Sequence, residues 1–265
     1  MVPLGIDPKI WKPCLAPKND KFRFIAGGSS WLRKGLDIVV EAFEALHLVD
    51  AELVIKVAET IRKEVPKITN PNIKIVDSWL TLEQEYDLYA TADCFVAASR
   101  GEGFGLMPLQ AIAMGIPTIM SDMTGHSDFI NFASTVVEAP PMPAKHKAVW
   151  NVGDWYEVSV GDLCEAMLAE YQAGAGRRDL DKASDAALMT WAKSAKKMVA
   201  VAGTGGLLEN PKWQLADEPG ILITANQRIQ ADIGRHHVDL RRGESALVSP
   251  NVRDILRNAG MLKEN

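Results

Sequence analysis

Glu102 stands between Gly101 and Gly103 in the stretch Arg100-Gly101-Glu102-Gly103-Phe104-Gly105-Leu106. A carboxylate only accepts hydrogen bonds, so a glutamate held this way suits a ligand rich in hydroxyls. The glycines let the backbone approach that ligand without a Cβ clash. Earlier in the chain, Arg33 and Lys34 follow Gly27-Gly28-Ser29-Ser30. Together they can meet a diphosphate, the arginine as a planar fork and the lysine as a point charge. His126 lies in a third polar loop, Ser121-Asp122-Met123-Thr124-Gly125-His126, and can reach a phosphate or a sugar. Each feature also has a plain reading: a turn with a solvated glutamate, two solvated basic residues, a histidine hydrogen-bonded at the surface.

The elements around these loops decide between the readings. Residues 94–98 form an apolar run of strand type, and 109–114 form an apolar helical run closed by Gly115 and Pro117. The Glu102 loop is therefore a strand-to-helix junction, where unpaired N–H groups favour phosphate or sugar oxygens. Residues 22–26 lead through the first loop into a helix marked by Leu36, Val39, Val40, Phe43 and Leu46. Further strands are expected at 53–57, 73–76 and 117–120. A helix should open at Thr81, which with Gln84 makes a capping box. Tyr86 and Tyr89 on that helix read as core. Strands alternating with helices imply a parallel sheet covered on both faces, with ligands outside the carboxyl ends of the strands. All three loops should therefore meet at one crevice.

The stretch from Ala90 to Ile130 resembles the donor-binding half of GT-B glycosyltransferases, in the large retaining family 4, or group 1, that uses nucleotide sugars. The signature of that family is Glu-Gly-Phe-Gly-Leu, a second Glu eight positions later, then Ala-Met/Ile-Ala-x-Gly-x-Pro. Here the second Glu is replaced by Gln110. Lys34-Gly35 is similar to the family's phosphate-contacting pair, while the family's preceding Arg falls on Ser29. Val2-Pro3-Leu4-Gly5-Ile6-Asp7 resembles the crossing between the two GT-B domains, so the chain is expected to begin at the donor half, without the N-terminal acceptor half. The resemblance gives Glu102, Lys34 and Arg33 the catalytic roles. It places Gly28, Ser29, Gly103, Phe104, Gly105, Leu106, Gln110 and His126 around a nucleotide diphosphate sugar, with no metal. A neutral amide at Gln110 would still bond the ribose diol, though more weakly.

Composition narrows the class. The chain has 265 residues, 47% hydrophobic and 24% charged, which is ordinary for a globular protein with a sizeable core. A net charge of −5 and a pI near 5.6 leave no electrostatic footprint for nucleic acid. Three widely spaced cysteines suggest neither a disulfide framework nor a metal site. No apolar run is long enough to span a membrane, and residues 1–4 do not begin a signal peptide. A cytoplasmic protein is expected, with a bacteriophage virion as the alternative setting.

Three prolines between 139 and 150 predict a long loop, followed by a strand at 155–158 and a helix from Val160. Residues 179–201 predict one long helix whose apolar side holds Leu188, Trp191, Ala195, Met198 and Val199. Beyond it the resemblance fades. The expected organisation is a Rossmann-like parallel α/β domain over 1–203, a linker over 204–220, and a small β-rich appendage with a terminal helix over 221–265. That appendage looks like modules at the ends of bacteriophage structural proteins. The whole implies the nucleotide-sugar half of a retaining hexosyltransferase, completed by a separate acceptor-domain protein or by self-association. The alternatives are a non-catalytic virion-associated or scaffolding protein that kept the fold, and a nucleotide-sugar sensor.

Overall fold

The computed structural model describes residues 2–13, 15, 19–144 and 154–204, and four strands between 221 and 248. Two compact units divide it, Met1–Met198 and Val199–Asn265.

In the first unit, β1 (Phe22–Gly28), β2 (Ala51–Val57), β3 (Ile73–Val76), β4 (Cys94–Ala97), β5 (Thr118–Ser121) and β6 (Thr135–Val137) form one sheet. Its order is β3-β2-β1-β4-β5-β6, and every pairing is parallel. The chain builds outward from β1 to β3, then returns to place β4 on the other side of β1. Intervening helices are α1 (Leu36–Ala45), α2 (Leu82–Ala90) and α3 (Leu106–Ala113). One apolar cluster joins Phe24, Leu53 and Ile55 to Val39 and Phe43 of α1 and to Leu163 and Met167 of α4 (Val160–Gln172). A second joins Ile25, Phe95 and Met120 to Tyr89, Leu109 and Ile112. Both faces of the sheet are thus covered, as buried parallel sheets require. Burial of each such side chain stabilises the fold by about 1.5–3 kcal/mol.

The Thr81 capping box forms in both directions, Gln84 N–H to Thr81 Oγ1 and Thr81 N–H to Gln84 Oε1. Tyr89 is fully buried and stacks on Phe95 at 5.5 Å, which makes it core.

Three expectations change. The proline-rich stretch includes a strand, β7 (Pro141–Pro143), paired antiparallel with β8 (Asp154–Tyr156). In a two-stranded ribbon a proline need not donate to a ladder, so the residues that argued against order are tolerated. Strand β6 has only three residues and shows no alternation to read. The long helix is two, α5 (Leu180–Ala186) and α6 (Trp191–Thr204). Asp179 caps the first by accepting from Lys182 N–H, and Thr190 Oγ1 accepts from Lys193 N–H at the start of the second. Between them Ile6 N–H donates to Met189 O at 2.8 Å, so the N-terminal connector is pinned to the break.

The second unit contains two antiparallel pairs. Strand β9 (Ile221–Thr224) pairs with β12 (Ser245–Val248), and β10 (Ile229–Ile233) pairs with β11 (His236–Leu240). Strand β10 was not expected. The linker from 205 and the terminal helix lie outside the described residues. No helix among the described residues is long and apolar enough to cross a membrane.

Candidate functional site

Strand order reverses between β1 and β4, and a parallel sheet leaves a crevice outside the carboxyl ends at such a point. A cavity of about 880 Å³ opens there. Gly28, Ser29 and Lys34 line it from the loop after β1, and Glu102, Gly103, Phe104, Gly105 and Leu106 line it from the loop after β4.

The Lys34 ammonium and the Glu102 carboxylate form an ion pair on this wall, each about one-seventh exposed. Burial first, and the Arg33 guanidinium second, bring the Lys34 pKa down to about 8. The lysine stem lies against Gly28, with Cγ 2.4 Å from where a Cβ would sit. Any larger residue at 28 would displace it.

The third loop supports the second from behind. A Cβ on Gly125 would stand 2.1 Å from the Glu102 carbonyl oxygen, so only glycine lets the two backbones approach. Ser121 Oγ, at the end of β5, donates to Ser99 O at 2.9 Å. Gly105 has φ +99° and caps α3 without a side-chain hydrogen bond, which leaves the first N–H groups of that helix without a side-chain acceptor. Gly103 has open space where its Cβ would be. The three loops do meet.

His126 is placed beneath this loop and off the cavity wall. Its ring is fully buried, with Cδ2 2.9 Å and Nε2 3.2 Å from the position a Gly105 Cβ would take. Nδ1 lies 2.9 Å from Ser121 O, an acceptor, so Nδ1 carries the proton. Nε2 has no partner. Burial depresses the His126 pKa to about 4, so the ring is a neutral acceptor at physiological pH. It has no proton on Nε2 to offer a phosphate.

Arg33 is off the cavity wall. Its Nη1 donates to Gly101 O at 2.8 Å, bracing the Glu102 loop. Gln110 is half-buried on α3 and also off the cavity wall. Arg100 carries more of the local structure than its place in the motif suggested. Its buried guanidinium forks onto Asp37 at 2.7 and 2.8 Å, bonds Glu157 at 3.0 Å and donates to Leu32 O at 2.6 Å. Those partners lie 57 to 68 residues away, so no local spacing announced them. Among the described residues no group of three or more His, Cys, Asp or Glu is placed to hold a metal ion.

Residues 21–145 match the family model for glycosyl transferases group 1. A protein of Sulfolobus islandicus filamentous virus (isolate Iceland/Hveragerdi), named "Putative glycosyltransferase 41", is 29% identical over 126 residues, 47% of this chain and 35% of that protein. Among solved structures, a glycosyltransferase from Rickettsia africae ESF-5 superposes with a TM-score of 0.60 at 15% identity, covering 79% of this chain and 57% of that one. Anabaena Alr3699/HepE, solved with UDP and glucose, superposes with a TM-score of 0.52 at 11% identity over 76% of this chain and 55% of that one. The chain thus spans about a third of the viral relative and just over half of each structure. The likeness to the solved structures gives the fold, that of one GT-B half.

Proposed function

We propose that the chain, whose residues 21–145 match the family model for glycosyl transferases group 1, is the donor-binding half of a retaining glycosyltransferase acting on a nucleotide diphosphate sugar. The observation that carries this reading is the meeting of Lys34 and Glu102 at the β1/β4 reversal, on the wall of one cavity. A diphosphate calls for a cation and free N–H groups, supplied by Lys34 and the start of α3. A sugar calls for an acceptor of hydroxyl hydrogens, supplied by Glu102. The UDP and glucose bound to Alr3699/HepE, which shares the fold, support the same ligand class.

Donor binding would exchange the ion pair for two ligand contacts, phosphate to Lys34 and hydroxyls to Glu102. In the transfer, the anomeric C–O bond to the diphosphate breaks while the acceptor oxygen bonds to the same face of that carbon. The acceptor's proton passes to the departing phosphate oxygen. Lys34 stabilises the charge that develops there, and no metal is needed. Arg33 acts on the donor through the Glu102 loop and through its charge beside Lys34, and His126 through the Glu102 loop. The acceptor is to be held by a second domain facing this crevice.

Isothermal titration with UDP-, GDP- and ADP-sugars tests the reading. One saturable site is expected. No heat and no competition with any of them at millimolar concentration would overturn it.

A further inference from the structure

The cavity continues past the residues that meet diphosphate and sugar. Its wall follows the ends of four adjacent strands, with Glu102 after β4, Lys34 after β1, Ala58 after β2 and Trp79 after β3. Neighbouring strands lie about 4.8 Å apart, so the wall runs about 14 Å from β4 to β3. That order sets the order of the ligand's parts. With the sugar at Glu102 and the diphosphate at Lys34, which is the donor-site reading above, the nucleoside lies toward β2 and β3.

Two side chains at that end make no hydrogen bond among the described residues. Glu85 of α2 lines the cavity half-buried, and its carboxylate makes no hydrogen bond among the described residues. Burial raises its pKa, opposed by nearby Lys56, whose ammonium is itself bonded to Val57 O at 2.9 Å. A carboxylate on the wall of an open cavity keeps both oxygens available to a ligand's donors. Trp79 is 89% exposed at the rim, and so large an uncovered indole is unusual unless something stacks on it.

We propose that Glu85 and Trp79 form a base subsite that selects guanine, making the donor a guanosine diphosphate sugar. Guanine carries two adjacent donors on one edge, N1–H and the exocyclic amino group, which match the two oxygens of one carboxylate. Uracil offers a single N3–H between two carbonyl oxygens that a carboxylate repels. Adenine and cytosine place an acceptor nitrogen beside the amino group. A site built for two donors rejects bases that lack them. Trp79 stacks on any base, so it adds affinity without choice.

Titration of the full chain with GDP, IDP, UDP and ADP tests this. GDP should bind about tenfold or more tighter than UDP and ADP, in line with the discrimination of a bidentate base contact. IDP, which lacks only the amino group, should fall between. Glu85→Gln, whose amide presents one donor and one acceptor, should erase the margin of GDP over UDP, and Trp79→Ala should weaken all four alike. Equal affinity for GDP and IDP in the unaltered chain, or a margin that survives Glu85→Gln, overturns the guanine subsite and leaves the donor site standing. Failure of all four to bind overturns both.

Discussion

Lys34 and Glu102 pair across 68 residues of sequence, one carried past the end of β1 and the other past the end of β4. The pair spans the point where the sheet reverses its order, and neither side chain has another hydrogen-bonded partner among the described residues. Each is thus free to exchange its partner for a ligand group, a phosphate at Lys34 and hydroxyls at Glu102.

Lys34→Ala should weaken donor binding by about 1.5–3 kcal/mol, the usual loss for one charge-assisted contact. Circular dichroism should be unchanged, because the lysine contributes a cation and not core volume. A variant that folds normally and binds donors as tightly as before would place the diphosphate elsewhere.

The low Lys34 pKa gives binding a pH dependence of definite sign. In the empty site the group titrates near 8. A bound diphosphate stabilises the ammonium and raises that value. Affinity should therefore be level below about pH 8 and fall as pH rises toward the bound-state value, by up to about tenfold per unit. The phosphates of a nucleotide sugar are already ionised in this range, so the slope belongs to the protein. The Lys34→Ala variant should lose it.

Arg100 should matter to stability more than to binding. Its guanidinium is buried and holds Asp37 and Glu157, each about one-third exposed at the side chain. Removing one partner of a buried network costs about 3–5 kcal/mol, and the exposure of both acids argues for the low end. Urea unfolding of Arg100→Met should show that loss. Arg100→Lys should recover little of it, because an ammonium cannot reproduce the fork.

Local patterns made the core of the fold legible. The apolar runs ending at Gly28 and Ala97, and the glycines after them, are continuous in sequence, so strand, loop and helix could be read in order. Non-local packing hid the rest. The state of His126 depends on Gly105 above it and the Ser121 carbonyl beside it, and Arg33 is held by the Gly101 carbonyl. Pro141 and Pro143 misled because their strand pairs on a single ribbon. Glu85 did leave a signal, as a carboxyl one turn from both Leu82 and Tyr89 on an apolar stripe.

Gln110 offers a test of where the ribose lies. If the ribose approaches α3, Gln110→Glu should tighten nucleotide binding, since a carboxylate accepts from both hydroxyls of a diol. Unchanged affinity, with GDP and base-free ribose 5-diphosphate compared, would place the ribose along β2 and away from this helix.

The last prediction concerns association. A donor crevice that opens to solvent cannot exclude water or orient an acceptor, and orientation supplies a large share of catalysis. The chain alone should transfer no sugar and should hydrolyse a donor slowly at most. Leu188 is 59% exposed, Trp191 47% and Met198 48%, so the surface near the start of α6 has apolar area to bury. An apolar face of this kind marks an association site. Analytical ultracentrifugation should find self-association, or a stable complex with an acceptor-type partner, and Trp191→Glu should weaken it without lowering donor affinity. A strictly monomeric chain with efficient transferase activity would mean that the region beyond Pro140 holds the acceptor itself.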